Sequence, residues 1–355
     1  MTYFIFTLWF LLAAAIVIGV RFFIRKFQPK WWYDLILFVS ELILAIVIAF
    51  LSMATDISIT RFGSFLFAMY IALFGDSFAH LVFIFIDLFG KKIKRFFLLT
   101  IISNFLAVSF MVFGMVNMSI VTPKYLQYSS SKLTNSYKVA FVSDLHVGMA
   151  QTIERSIQTI RDIKQQQPDF TIIGGDLADE YTTMKDMKTV AKEFKDFTTP
   201  VYFIHGNHEL FSHVTITDLE EELESNGVEI IIDEFVKLSS DLTLLGREDL
   251  LSPNRKTKEE LVNPYPSTYL LCAEHQPWDF ENNCSIGVDL QLSGHTHAGQ
   301  LFPNQMIYSL GTYSYGEYRY NQSFMHVSSG ASGWQNPIRT EVGCQFEVIT
   351  LSPAN

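Results

Sequence analysis

Seven side chains able to bind metal stand just past apolar runs in the last two-thirds of this chain: Asp144, His146, Asp176, Asn207, His275, His295 and His297. His208 adjoins one of them. The donors mix nitrogen and oxygen. Imidazoles together with carboxylates suit Mn, Fe or Zn, whereas an all-oxygen set would suit Mg or Ca. Two divalent ions about 3.5–4 Å apart can clamp the attacking and leaving oxygens of a phosphoryl transfer. A carboxylate is needed to bridge such a pair, and Asp176 is the candidate. Gly175, Gly206 and Gly294 lie beside these donors, where tight turns or close backbone approach are required.

Donors so far apart in sequence must be delivered to one place by the elements that precede them. Asp144, Asp176, Asn207, His275 and His295 each follow a short apolar run. In open α/β sheets, ligands gather at the carboxyl ends of strands, so five strands ending this way can converge on one rim. Strands are predicted at 137–143, 170–174, 201–205 and 228–232. Between them lie helical patterns. Ile153, Ile157 and Ile160 have helical spacing, with Pro168 closing that unit. A second helix is predicted over 183–197, and a third, very acidic one over 217–225, with Gly227 just past its end. The run Glu220, Glu221, Glu222 reads as a solvated helix face. This alternation implies a mostly parallel sheet. After residue 234 the runs shorten, and strands are predicted at 242–246, 268–273, 288–292, 324–328 and 344–350.

Taken in order, the blocks Asp144-Leu145-His146, Gly174-Gly175-Asp176, Gly206-Asn207-His208-Glu209, His275 and Gly294-His295-Thr296-His297 resemble the signature of the calcineurin-like metallophosphoesterases. The resemblance spans roughly 137–351. Residues 327–333 and 337–340 resemble the C-terminal segment of its membrane-anchored, bacterial, phosphodiesterase-like branch. The resemblance implies an α/β fold, a four-layer sandwich of two central mixed β-sheets flanked by helices. It implies one metal held by Asp144, His146, Asp176 and His297 and a second held by Asp176, Asn207, His275 and His295, with Mn favoured. It further implies that a hydroxide between the ions attacks phosphorus. His208 would not ligate but would protonate the leaving oxygen or stabilise the transition state. Gly330 and Gly333 could bring backbone near the site. Arg339 could bind a phosphate oxygen or serve as a structural arginine. His205, His213 and His326 stay outside the ligand set.

The first third reads differently. The chain is 49% apolar over its 355 residues, with the apolar excess in residues 1–118. Four runs there are long enough to span a bilayer, at 3–20, 31–54, 62–89 and 96–118. Arg21, Arg25, Lys26 and Lys30 follow the first run rather than precede it, the reverse of a secretory signal peptide. They and Lys91, Lys92, Lys94 and Arg95 fall on the same side of four spans, which places the N-terminus and the domain after residue 118 outside the cytoplasm. Glu41, Asp76 and His80 lie within the spans and either make polar contacts inside the bundle or do functional work there. Residues 119–136, Ser-rich and polar, read as a linker to a catalytic domain over 137–355.

Residues 1–118 carry five acidic and nine basic side chains, the remainder 31 acidic and 17 basic. An acidic soluble part argues against a nucleic-acid partner. Cys272, Cys284 and Cys344 contain no Cys-x-x-Cys, so no zinc ribbon is read, and either one disulfide or three reduced thiols are compatible with them. The expected function is a membrane-anchored, binuclear metal-dependent phosphoesterase, acting on a phosphodiester such as a phospholipid or a lipid-linked envelope precursor. Two other classes remain open: a non-catalytic scaffold on the same fold, and a membrane sensor or transporter with a regulatory phosphoesterase domain.

Overall fold

The computed structural model describes residues 105, 109–110, 112–148, 150–334 and 338–354. The predicted spans at 3–20, 31–54 and 62–89, most of that at 96–118, and Glu41, Asp76 and His80 lie outside the described residues. Among the described residues no helix is long and apolar enough to cross a membrane. The chain divides into two compact units, Met1–Met115 and Val116–Asn355. The fold described below belongs to the second.

The elements run β1 (Val121–Ser130), β2 (Tyr137–Val142), α1 (Ile153–Gln165), β3 (Phe170–Ile173), α2 (Met184–Ala191), β4 (Val201–Phe203), α3 (Ile216–Ser225), β5 (Val228–Ile230), β6 (Glu234–Lys237) and β7 (Leu242–Gly246). They continue with β8 (Tyr269–Ala273), α4 (Phe280–Ser285), β9 (Leu290–Ser293), α5 (Asn304–Tyr308), β10 (Gly316–Tyr320), β11 (Ser323–Val327) and β12 (Cys344–Pro353). Two six-stranded sheets result, ordered β1-β12-β2-β3-β4-β5 and β10-β11-β9-β8-β7-β6. Both are mixed. In the first, only the β12–β2 pair is antiparallel. In the second, the edge pairs β10–β11 and β6–β7 are antiparallel and the rest parallel.

The strands read as unbroken apolar runs because both faces of each sheet are covered. Along β2, Val139 and Phe141 point between the sheets, where they meet Ile172, Tyr202, Leu244, Leu271 and Leu292. Ala140 and Val142 point the other way, onto a layer built from α1, α2 and α3 through Ile160, Ile163, Met187, Leu219 and Leu223. Ile153 and Ile157 join that contact half-buried, so the stripe predicted from Ile153, Ile157 and Ile160 packs on the first sheet. Outside the second sheet, Leu245, Leu270, Cys272 and Val288 form one small cluster and Phe280, Met325 and Val327 another. Thr152, Thr183 and Thr215 cap the three helices by accepting from Arg155 N, Asp186 N and Asp218 N. Each cap satisfies one of the amide groups a helix start leaves unpaired.

One boundary needs correction. The segment 119–136, expected as a linker, contains β1. It pairs in parallel with β12 from Val121↔Cys344 to Ser130↔Pro353. It is an edge strand with alternating exposure and only Tyr128 fully buried. Its partner lies more than 200 residues later, so no local pattern announces the pairing. Polar and serine residues there are the ordinary dress of an edge strand. The edge strands β6 and β10 pair with the strand next in sequence, but neither fully buries a residue, so neither shows the continuous apolar run of an inner strand. Glu220 departs from the solvated face expected of 220–222, because its carboxylate lies 3.0 Å from His205 Nε2. Cys272, Cys284 and Cys344 are free thiols.

Candidate metal centre

The predicted donors converge at the carboxyl ends of β2, β3, β4, β8 and β9. Asp144, His146 and His297 offer ligand atoms that all lie within 4.8 Å of one another, and so do those of Asp176, His275 and His295. Asp176 Oδ2 reaches both groups, at 2.9 Å from His275 Nε2 and 3.7 Å from His146 Nε2. His146 Nε2 and His297 Nε2 are 3.2 Å apart. Asn207 and His208 occupy the loop after β4 on the same rim.

The backbone at these positions is unusual. Asp144, His146, Asp176, His295 and His297 all have positive φ, between 42° and 70°. Non-glycine residues in the left-handed region carry local strain and concentrate at functional sites. Here the turn swings each side chain off its strand toward the others. The loops then lock together: Asp144 N donates to Gly175 O, His146 N to Asp176 O, and Gly294 N to His275 O. Gly206 has no room for a side chain, since a Cβ there would lie 2.3 Å from Asp176 Oδ1. Gly330, with φ of +78°, would place a Cβ 2.8 Å from that of Asp144, so the C-terminal segment does bring backbone against the site.

The hydrogen bonds decide which nitrogen of each imidazole is left with a lone pair. His146 Nδ1 donates to Asp179 Oδ2 at 3.2 Å, His297 Nδ1 to Ser332 O at 3.1 Å, and His275 Nδ1 to Gly174 O at 2.8 Å. Their Nε2 atoms therefore carry lone pairs. Those of His146 and His297 face each other. That of His275 faces a carboxylate at 2.9 Å without the alignment of a hydrogen bond. His295 Nδ1 and Asn207 Oδ1 are buried without a partner. Buried unpaired acceptors are costly, and the facing lone pairs of His146 and His297 repel. Divalent cations remove both penalties, so the residues present fit a metal pair. Outer hydrogen bonds of this kind also set ring orientation and ligand basicity in metal sites.

The electrostatics agree for His295 and His297, while at His275 a proton facing Asp176 stands where a cation would lie. Burial alone would raise the Asp176 carboxyl, but His275, then His208 and His146, hold it well below the usual carboxylate range. Burial works against the charged form of His275, yet Asp176 raises it to about 10. Burial, reinforced by His275, pushes His295 down to about 3, and burial with His146 and Arg339 pushes His297 down as well. Neutral rings with free nitrogen are the form that ligates.

His208 stands apart from the two groups. Its backbone N donates to Asp176 Oδ1 at 2.8 Å, while its ring lies 5.0 Å from that of His146 and its Nδ1 3.0 Å from Glu180 Oε2. Burial lowers its basicity, but Glu180 and then Asp176 raise it to about 9. Positioned groups of this type donate protons.

Several contributors had no role fixed by the sequence, although Glu209 stands in a quoted block and Arg339 was a candidate. Glu209 is buried and accepts from Asp176 N, Ala178 N and Gly206 N at 2.9, 2.9 and 2.6 Å. One carboxylate thus ties the loop after β3 to the loop after β4. Its place directly after His208 was the only available hint. Asp179 and Glu180 orient His146 and His208 from the same loop. Trp278 packs edge-on against His295, with ring centroids 4.9 Å apart. Arg339 is fully buried, and its guanidinium donates to the carbonyls of Ser332, Ser329 and His297. It braces the segment behind His297 and does not offer itself to a phosphate. His205 sits between Glu220 and Glu248, and His326 against Glu347, and neither joins the two donor groups.

Residues 137–299 match the family described as calcineurin-like phosphoesterase. Residues 137–299 thus carry the domain of that family. The phosphoesterase domain has curated relatives that are themselves only broadly described. One, from Helicobacter pylori and called an uncharacterized metallophosphoesterase, is 30% identical over 244 residues, 66% of this chain and 64% of its own length. One from Bacillus subtilis, also an uncharacterized metallophosphoesterase, is 24% identical and matches over 62% of this chain and 81% of its own length. One from Bos taurus, called a transmembrane protein with metallophosphoesterase domain, is 26% identical over 61% of this chain and 53% of its own length. The chain therefore spans less than two-thirds of the Helicobacter and Bos proteins. The metallophosphoesterase domain is α/β with two mixed sheets, as its resemblance implied.

Proposed function

We propose that this chain is a membrane-anchored phosphoesterase that hydrolyses a phosphodiester with a pair of divalent metal ions. The observation that carries this reading is the paired donor set. Two groups of largely buried donors lie side by side with Asp176 reaching both, and polar atoms of His275, His295 and Asn207 have no hydrogen-bond partner in the protein alone. Asp144, His146, Asp176 and His297 would hold one ion, and Asp176, Asn207, His275 and His295 the other. When bound, such a pair supplies Lewis acidity toward phosphoryl oxygens and lowers the pKa of water. The donor chemistry admits Mn, Fe or Zn, and Mn is preferred on the family resemblance.

The remaining work falls to the chain's own residues. Asp179, Gly174 O and Ser332 O fix the rings of His146, His275 and His297. His208, held by Glu180, delivers a proton to the departing oxygen. Diester specificity is favoured because the C-terminal segment resembles a phosphodiesterase-like branch; the proton from His208 would serve the leaving alkoxide of a monoester equally. The apolar first third supports the anchor, as does the relative named as a transmembrane protein. A substrate in or at the membrane, a phospholipid or lipid-linked precursor, follows from the anchor, and the basic loops place the domain outside the cytoplasm.

The test is the full chain in detergent, stripped of metal and assayed with Mn, Fe or Zn against a phosphodiester, a phosphomonoester and a phospholipid. Metal-dependent hydrolysis with the diester preferred is expected. No hydrolysis with any ion would leave a scaffold role instead. A reporter active only outside the cytoplasm, fused to the C-terminus, should be active, and activity from a cytoplasmic reporter alone would overturn the orientation.

A further inference from the structure

The segment that follows the last metal-donor candidate is built unlike the rest of the domain surface. Residues 298–316 contain no Asp, Glu, Lys or Arg, in a chain that is 17% charged. They form α5 and its flanks, and they expose large apolar side chains: Phe302 at 51%, Met306 at 59%, Ile307 at 45%, Tyr308 at 45% and Leu310 at 86%. Trp278, half exposed, extends the patch from the neighbouring loop by donating from Nε1 to Thr312 Oγ1 at 2.8 Å. Its ring is the one that packs on His295. A cavity of about 460 Å³ opens between Trp278, Leu310, Tyr313 and Tyr318. Contiguous exposed apolar patches on a domain mark interaction sites.

The connection of the chain says what covers this one. The apolar run at 96–118 passes directly into the domain at Asn117 and Met118. Asn117 Nδ2 donates to Arg339 O at 3.0 Å and to Glu341 O at 3.3 Å. The Glu341 side chain in turn accepts from Gln305 N, the first turn of α5, at 2.9 Å. The apolar patch is thus fastened, through one residue, to the point where the predicted last span ends. Its mixture of Trp, Tyr, Phe, Met and Leu without charge is the composition that settles at a lipid headgroup boundary.

We propose that the segment around α5 docks on the lipid bilayer surface, with Leu310, Ile307, Met306 and Phe302 inserted among the headgroups. Trp278 then links the lipid boundary to the rim of the metal centre, so a substrate headgroup could reach the rim while its tails stay in the membrane. This rests on the membrane-anchored phosphoesterase reading for its meaning, but its test is independent of catalysis.

The full chain is reconstituted into phosphatidylcholine–phosphatidylglycerol vesicles with an environment-sensitive dye on a single introduced cysteine. Cys284→Ser removes the only thiol that is not fully buried. The dye is placed by Leu310→Cys or Ile307→Cys, and for comparison by Val262→Cys, an apolar position 78% exposed among charged neighbours. Dyes at 310 and 307 should shift to the blue, be quenched by nitroxide-labelled lipid and be shielded from iodide, whereas the dye at 262 should do none of these. Iodide access at 310 and 307 equal to that at 262 would overturn the proposal. Energy transfer between labels at 310 that rises with protein density would also overturn it, by making a second copy the occupant. Hydrolysis of a soluble diester by the same vesicles is read separately. Insertion without hydrolysis keeps the docking surface and sinks the catalytic reading, and hydrolysis with a wet position 310 does the reverse.

Discussion

His208→Ala separates chemistry from folding at this centre. The contact His208 makes with a candidate ligand is through its backbone N, to Asp176 Oδ1 at 2.8 Å, and alanine keeps it. What the substitution removes is the imidazole and its pairing with Glu180, whose side chain is 36% exposed. A pair open to solvent on one side contributes about 1 kcal/mol or less. Metal content should therefore stay at two equivalents, and melting temperature should fall by only about 3 °C. The rate should fall far more. General acid catalysis contributes about 10²–10⁴-fold, or roughly 3–5 kcal/mol of barrier. The loss should be largest for a diester with an alkyl leaving group, which departs only when protonated. It should be small for a nitrophenyl diester, whose leaving group is already stable as an anion. The assay is a pair of kcat/KM measurements on those two substrates, with metal analysis on the same sample. Equal slowing of both substrates, or loss of an ion, would refute the proton-donor role and make His208 a ligand or a general electrostatic contact. Glu180→Gln should move in step. By removing the carboxylate that raises His208, it should shift the alkaline limb of the pH–rate profile to lower pH.

Asp176→Asn removes the carboxylate shared by both donor groups and should lower occupancy of both ions, while Asn207→Ala should weaken mainly one. Two full equivalents bound by Asp176→Asn would contradict the bridging assignment. Glu209→Ala leaves three buried backbone N–H groups unpaired. It should cost about 4 kcal/mol, seen as a drop of roughly 10 °C in melting temperature, and an unchanged melting curve would contradict its role as the peg between the two loops. Asp241 gathers Thr134, Asn135, Tyr137 and Ser239. Burial would raise its carboxyl, but Tyr137, Ser239 and Thr134 hold it well below the usual range. A depressed carboxyl stabilises the fold above its unfolded value, about 3.9, and that stability is lost as pH falls through the folded value. Asp241→Asn should therefore destabilise at neutral pH by about 2 kcal/mol and flatten the acid limb of a denaturation curve. An acid limb identical to wild type would refute the assignment.

The local sequence determined the inner strands, the three long helices and the identity of the donor blocks. In each case the information sits within a few residues. A strand covered on both faces must be continuously apolar, as 139–142 is. A helix on a sheet must show a stripe, as Ile153, Ile157 and Ile160 do. A donor loop packed against another needs glycine at the contact, as Gly206 is beside Asn207, where a Cβ would strike Asp176. Nothing local could announce β1, because an edge strand is polar on its open side and its partner β12 closes the sheet from the far end of the chain. Nor could residue type settle Arg339. The same side chain type that grips phosphates elsewhere is here fully buried and donates to three backbone carbonyls once the segment 329–332 folds back over Asp144. The lone pairs belong to tertiary structure in the same way. Every histidine carries two nitrogens in the sequence, and only the contacts to Asp179, Gly174 O and Ser332 O turn the Nε2 atoms inward, those of His146 and His297 on each other and that of His275 on Asp176. The number and kind of donors are written in residue types, which chemistry reads one at a time. Their direction is a property of loops that meet only when two sheets pack, and so it exists only in the folded chain.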